Sequence, residues 1–152
     1  MKNIKSLTIN DTKVNTMTGE TNIKTLLASM EPKLLADNYV FCTFQNAKYG
    51  DYADLLPLAA YLESEGLTLV IKQDIADKAG LAYEAIFKGI TLTIHSSLEA
   101  VGLTAAIATK LTEKGISANV IAAYYHDHIF VQAEKSALAM QALAEFNSKP
   151  SL

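Results

Sequence analysis

The chain has 152 residues, half of them apolar and 19% charged, and its formal net charge is −3. This composition is typical of a globular protein with a buried core, and it argues against a disordered chain and against a basic nucleic-acid-binding surface. No apolar stretch is long enough to cross a bilayer, the first residues lack the apolar core of a signal peptide, and a single cysteine excludes an internal disulfide. We therefore expect a cytoplasmic protein with no membrane or nucleic-acid partner.

Residues 1–18 are polar and weakly patterned, and we expect them to form a tail or an added strand. A helix is predicted after them, because apolar residues recur with the i, i+3, i+4, i+7 spacing of one helix face, at Ile23, Leu26, Leu27 and Met30. Thr21 or Asn22 can cap this helix, and Pro32 ends it.

An interior strand is predicted over residues 39–44, which are apolar on both faces and rich in aromatic and β-branched side chains. The next segment allows two interpretations. The apolar spacing of residues 55–62 suits a helix, whereas the tight turn at residues 64–66 suits a hairpin between residues 58–63 and 67–72.

A short helix is expected next, with Asp74 as its cap and Gly80 at its end. Residues 86–95 then alternate between apolar and polar side chains, which predicts a strand with one buried face. The residues of that buried face are Ile90, Leu92 and Ile94.

The segment that follows this strand predicts a helix with an unusual glycine. Ser96 and Glu99 have the spacing of a capping box, which marks the start of a helix. Gly102 would then lie within the second turn, where glycine costs about 1 kcal/mol relative to alanine and often indicates that a backbone or a ligand comes close. Gly115 is expected to end the helix.

The last part of the chain predicts a strand pair, formed by residues 117–124 and 128–132 around a turn that contains Asp127, and a final helix near residues 134–146. The second half therefore has the order strand–helix–strand–strand–helix. This is the ferredoxin-like arrangement without its final strand. Such a unit would leave an open strand edge, which an oligomer would cover.

Several of these segments resemble the ACT domain, the regulatory module that binds free amino acids. They are residues 39–43, 65–70, 94–105, 111–117 and 122–131. The pattern is similar to that of small bacterial tandem-ACT proteins, which are related to the cytosolic arginine sensors of animals. The resemblance implies an α+β fold in which two ferredoxin-like βαββαβ units pack side by side with antiparallel sheets.

The resemblance also implies the domain boundaries: a first unit over residues 19–84, a second over 85–147 and a tail over 148–152. It favours the hairpin over the helix at residues 58–63. It implies no catalytic domain. We therefore expect a regulatory or sensor protein that binds a small amino acid or a related zwitterion, is not an enzyme, has no cofactor or metal and forms a homodimer.

A ligand site is predicted where the helix near Gly102 begins, because free N–H groups at a helix N-terminus attract a carboxylate. The resemblance implies that Asp127 contacts the ligand's ammonium group, which suits a charge-assisted hydrogen bond. The capping box and tight helix packing would explain the same residues without a ligand. The expected ligand-binding residues are His95, Ser96, Ser97, Leu98, Glu99, Val101, Gly102, Leu103, Ala122, Ala123, Tyr124 and Asp127.

Two other functions are compatible with the sequence. A small hydrolytic or metal-dependent enzyme could use His126, Asp127 and His128 together with His95, but these residues lack the fixed spacing of a known metal motif. The other of these two functions is that of a dimerising interaction module without a ligand. Tyr124 and Tyr125 would point to opposite faces if their strand continues, one towards a pocket and one towards the core or a partner.

Overall fold

The computed structural model of the protein describes residues 22–94 and 101–148. Within these ranges the helices are α1 (Ile23–Ser29), α2 (Gln73–Lys78), α3 (Leu103–Glu113) and α4 (Ser136–Ala144). The strands are β1 (Glu31–Phe44), β2 (Ala59–Leu62), β3 (Leu67–Lys72), β4 (Phe87–Thr93), β5 (Asn119–Ala122) and β6 (Asp127–Gln132). Single 3₁₀ turns lie at Ala53–Leu55, Ala133–Lys135 and Glu145–Asn147.

The described strands form one six-stranded antiparallel sheet in the order β2-β3-β1-β4-β6-β5. The first four strands of this order make a ferredoxin-like unit, in which the 3₁₀ turn at Ala53–Leu55 takes the place of the first helix. Read from the other edge, β5, β6, β4 and β1 repeat the arrangement with α3 and α4. The predicted α+β class with two ferredoxin-like units is confirmed.

Strands β1 and β4 serve both units. The first part of β1, from Glu31 to Leu34, pairs with β4 from Thr93 to Ile90 and fills the place of the fourth strand in the second unit. The prediction that the missing final strand leaves an open edge there is therefore wrong, because a strand from the first unit occupies it. The outer strands of the described sheet are β2 and β5.

The helices pack on one face of the sheet. Asn38 lies opposite Lys88 in the register of β1 and β4, so Val40 and Cys42 share a face with Ile90 and Leu92. Two buried clusters cover this face. One contains residues of β1, β3 and α2, and the other joins β4, β6, α3 and α4.

Helix α1 packs with the second unit although it precedes the first along the chain. Its Leu26 and the adjoining Met30 are fully buried among Ile107 of α3 and Leu143 of α4. The predicted cap is confirmed, since the Asn22 side chain accepts hydrogen bonds from the backbone of Lys24 and Thr25.

An aromatic cluster, formed by Tyr39, Phe41, Phe87 and Phe130, occupies the opposite face of the sheet. The Phe130 ring packs edge-on against Tyr39 and Phe41, with centroids 5.9 and 5.6 Å apart. No described helix contributes to the buried residues of this face. Because Phe130 belongs to β6 and its partners to β1, the aromatic cluster joins the two units.

The hairpin predicted for residues 58–63 is confirmed, since β2 pairs with β3 through a two-residue turn. Glu63 and Gly66 close this turn with reciprocal backbone hydrogen bonds of 2.9 and 3.2 Å. Asp74 does not cap α2, which begins one residue earlier at Gln73 without a side-chain cap. The predicted helix ends near Gly80 and Gly115 are confirmed.

Candidate functional site

Helix α3 begins at Leu103, and Gly102 is its N-cap residue. Gly102 has a φ of +95°, and its carbonyl accepts the first helical hydrogen bond from Ala106 at 2.9 Å. The prediction that Gly102 lies within the second turn is therefore wrong. Glycine suits this position because the backbone there is in the left-handed conformation, which residues with a Cβ rarely adopt.

The described residues leave space beside Gly102. Of these residues, only the Ile23 side chain would meet a Cβ built on Gly102, at 4.0 Å, and none of their backbone atoms comes that close. Among the described residues, no side chain caps α3 or accepts from the N–H groups of its first turn. Five of the predicted ligand-binding residues lie outside the described residues: His95, Ser96, Ser97, Leu98 and Glu99.

Asp127 is the first residue of β6, opposite Leu92 of β4 and Ala122 of β5. The prediction that Asp127 lies in the hairpin turn is wrong, because the turn is shorter. Its tip is Tyr124 and Tyr125, closed by a hydrogen bond from the Ala123 N–H to the His126 carbonyl at 3.1 Å. Both tyrosines are exposed and contact each other edge-on, so they do not divide between a pocket and the core.

The Asp127 side chain lies on the helix-covered face of the sheet. It shares this face with Ile129 and Val131, two positions apart along β6, both of which pack in the core with α3. Burial raises the pKa of Asp127, although the neighbouring His128 and His126 lower it in part. A carboxylate whose pKa is raised by burial has lost part of its hydration, and a bound cation would stabilise its charged form.

The other predicted residues surround this position unevenly. Leu103 is buried in the core cluster with Leu92 and Ile94, whereas Val101 is exposed. Ala122 and Ala123 are exposed at the start of the hairpin turn, beside Tyr124. Asp127 lies opposite Leu92 near the end of β4, and Leu103, the first residue of α3, packs in the core cluster that contains Leu92. The start of α3 and Asp127 therefore lie at the same end of the helix-covered face.

His128 lies on the opposite sheet face from Asp127, as neighbouring residues of a strand do. Its Nδ1 is 3.1 Å from the Thr91 hydroxyl of β4. His126 instead directs its Nδ1 towards the Ile94 carbonyl at 3.3 Å. In the part of the chain that the structure describes, no three histidine, cysteine or acidic residues are grouped for a metal ion.

We expect the stability of the protein to decrease as the pH falls below about 6.5. Burial lowers the pKa of His128, and His126 lowers it further against the opposing effect of Asp127. The unfolded chain, with its histidine at the ordinary pKa of 6.5, therefore binds more protons than the folded protein just below that pH. Urea denaturation between pH 8 and pH 5 measures this loss, and His128→Gln should reduce it; an equal loss in the variant would contradict this origin.

A second concave region was missed by sequence reasoning. It is a groove with a volume of about 780 Å³ beside the end of β1, where the linker after α2 crosses towards β4. Its residues are scattered along the chain, so no local motif indicates it. We call it the junction groove, and it is lined by Phe41, Cys42, Thr43, Glu63, Thr68, Ala82, Tyr83, Glu84, Ala85, Phe87 and Asn119.

Two family profiles, both described as ACT domain, match the chain in tandem over residues 18–88 and 87–145. The chain belongs to the ACT-domain family. This membership supports a ligand-binding regulatory role, and neither match is to a catalytic domain. No match to a curated protein was found.

Several solved structures share the fold. A Vibrio cholerae protein of unknown function, described as a possible transport protein, is 59% identical, with a TM-score of 0.77 over 83% of this chain and 96% of its own. An Agrobacterium tumefaciens protein is 15% identical, with a TM-score of 0.65 over 78% and 89% of the two chains. The regulatory subunit of aspartate kinase from Thermus thermophilus is 10% identical, with a TM-score of 0.55 over 77% and 97%. Among the described residues of this ACT protein, no helix is long and apolar enough to cross a membrane.

Proposed function

We propose that this tandem ACT protein is a regulatory sensor of a small amino acid or a related zwitterion. The observation that carries the proposal is Asp127, a carboxylate on the helix-covered face at the same end as the start of α3. A zwitterion needs opposite charges at its two ends, and these two features would supply them. The ligand identity would depend on the side chains beside them.

The carboxylate of the ligand would bind the first turn of α3. Among the described residues no side chain accepts from the backbone N–H groups there, and the helix dipole adds a partial positive charge. Of the same residues, only the Ile23 side chain comes within 4.0 Å of a Cβ built on Gly102. Val101 and Ala122 are exposed and would border the ligand.

The ammonium of the ligand would bind Asp127. The raised pKa of this carboxylate reflects incomplete solvation, which an ammonium group would relieve through a charge-assisted hydrogen bond. Such a ligand would act by binding one packing of the two units more tightly than another. Because β1 and β4 belong to both units, a shift of the strands of one unit would also move those of the other.

We expect Asp127→Asn to raise the melting temperature of the ligand-free protein and to abolish the stabilisation by the amino acid. A carboxyl whose folded pKa is raised costs stability above that pKa, because the folded state must then hold an under-solvated charge. The amide removes that charge, and with it the partner of the ammonium. A thermal-shift panel of the common amino acids at millimolar concentration measures both effects.

Asp54→Asn is the matched control, since Asp54 is an exposed aspartate in the 3₁₀ turn of the first unit. It should leave both the melting temperature and the ligand response as in the wild type. An amino acid that stabilises the Asp127→Asn variant as much as the wild type would reject the proposed ammonium site. A panel without any stabilising amino acid would reject the sensor itself.

A homodimer is part of the same proposal. The outer strand β2 presents exposed apolar side chains at Tyr61 and Leu62, and Leu58 just before the strand is also half exposed. Exposed apolar surface beside an unpaired strand edge is typical of an interface between protein chains.

A further inference from the structure

The junction groove is separate from the proposed amino-acid site. It borders Phe87, the first residue of β4, whereas α3 follows the other end of that strand. Its aromatic residues Phe41 and Phe87 lie on the helix-free face, while Asp127 lies on the helix-covered one. Its volume of about 780 Å³ falls in the range of small-molecule sites, which is roughly 300–1,000 Å³.

The floor of the junction groove is aromatic. Phe41 and Phe87 meet there edge-on, with ring centroids 5.3 Å apart and planes at 74°. Both rings are only partly buried, so each retains a surface that a ligand could cover. An aromatic ring attracts apolar groups to its surface and cations to its face.

The charged side chains that line the junction groove are all negative. Its lining includes two carboxylates, Glu63 and Glu84, and no lysine, arginine or histidine. The Thr68 hydroxyl donates a hydrogen bond of 2.5 Å to Glu63, which holds this carboxylate on the helix-free face. Among the described residues neither glutamate forms a salt bridge.

We propose that the junction groove binds an organic amine with an aromatic or similarly apolar body and no carboxylate. The apolar body would cover Phe41 and Phe87, and the ammonium would lie against Glu63 and Glu84. A carboxylate on the ligand would meet only like charges, because the lining holds no cation. The groove would therefore distinguish an amine from the amino acid that has the same side chain.

The test is calorimetric titration with phenethylamine, compared with phenylalanine, phenylpropanoate and ethylamine. It is made in the wild type and in Asp127→Asn, so that an amino acid bound at the proposed sensor site does not contribute. We expect phenethylamine to bind both proteins equally and the other three compounds to bind the variant at least about tenfold more weakly, a difference of about 1.4 kcal/mol. Binding should weaken with added salt.

Variants of the groove locate the amine. Glu84→Gln and Glu63→Gln should each lower the affinity for phenethylamine about two- to fivefold, since exposed charge pairs are weak, and the double variant should lower it further. Phe87→Leu should weaken the binding of phenethylamine more than the binding of ethylamine. Glu113→Gln, at an exposed glutamate of α3, is the matched control and should bind as the wild type does.

Three results would overturn the proposal: no binding of phenethylamine at millimolar concentration, equal binding of phenylalanine by the Asp127→Asn variant, or an affinity that the double glutamate variant leaves unchanged. Each result is independent of the amino-acid sensor. Loss of the amino-acid response in Asp127→Asn with phenethylamine binding retained would support both sites. Failure of the amino-acid panel alone would leave the amine site supported.

Discussion

Replacing Phe130 by alanine is expected to lower the free energy of unfolding by about 3–5 kcal/mol, the usual cost of removing a buried aromatic ring. Phe130 is 1% exposed and contacts Tyr39 and Phe41 edge-on. Its ring also lies close to Gly89, where an added Cβ would be only 3.2 Å from it. The substitution would therefore open a cavity in the aromatic cluster between the two units.

Urea denaturation followed by circular dichroism measures this loss. Phe130→Leu is the matched control, because it retains most of the volume and should cost about 1–2 kcal/mol. If the two units unfold together, as their shared strands imply, both variants should keep a single transition. A loss below about 1 kcal/mol for the alanine variant would show that the cluster does not hold the units together.

Gly66→Ala is expected to cost at least about 2 kcal/mol, because it combines overpacking with a strained backbone. Gly66 has a φ of +156°, and a Cβ there would lie 2.8 Å from the carbonyl oxygen of Phe44 in β1. That atom belongs to the backbone of a central strand, so it cannot move aside cheaply. The turn between β2 and β3 would have to separate from β1.

Gly80→Ala separates the two causes of this cost. Gly80 also has a positive φ, of +65°, but a Cβ there would meet no atom within 4 Å. Only the backbone strain remains, so Gly80→Ala should cost about 1–2 kcal/mol. Equal losses at both positions, measured by the same urea denaturation, would show that the contact with Phe44 is relieved without cost.

The parts of the fold that sequence predicts are those set by neighbouring residues. The alternation of Ile90, Leu92 and Ile94 places one face of β4 in the core, and these residues are buried. The helix ends near Gly80 and Gly115 follow from the backbone freedom of glycine. Local patterns of this kind depend only on residues within one helix or strand, so they can be recognised from the sequence alone.

The parts that sequence misses depend on which elements become neighbours. Nothing in residues 31–34 indicates that they pair with β4, and this pairing closes the second unit. The capping pattern ahead of Gly102 predicts an earlier helix start and therefore a glycine in the helix interior. The frequency of aspartate in turns predicts a turn at Asp127, whereas the exposed pair Tyr124 and Tyr125 forms the turn. The junction groove needs side chains from distant segments, among them Phe41 and Asn119.

The position of α1 has a consequence for synthesis on the ribosome. Met30 is translated before Leu143, with which it is buried, and its carbonyl accepts a hydrogen bond from the Asn147 side chain at 2.7 Å. The emerging chain therefore carries an apolar helix without its partners until residue 143 has left the exit tunnel. Contacts between such distant residues also make folding slow. Chaperones that bind short apolar segments would meet this nascent chain before its fold is complete.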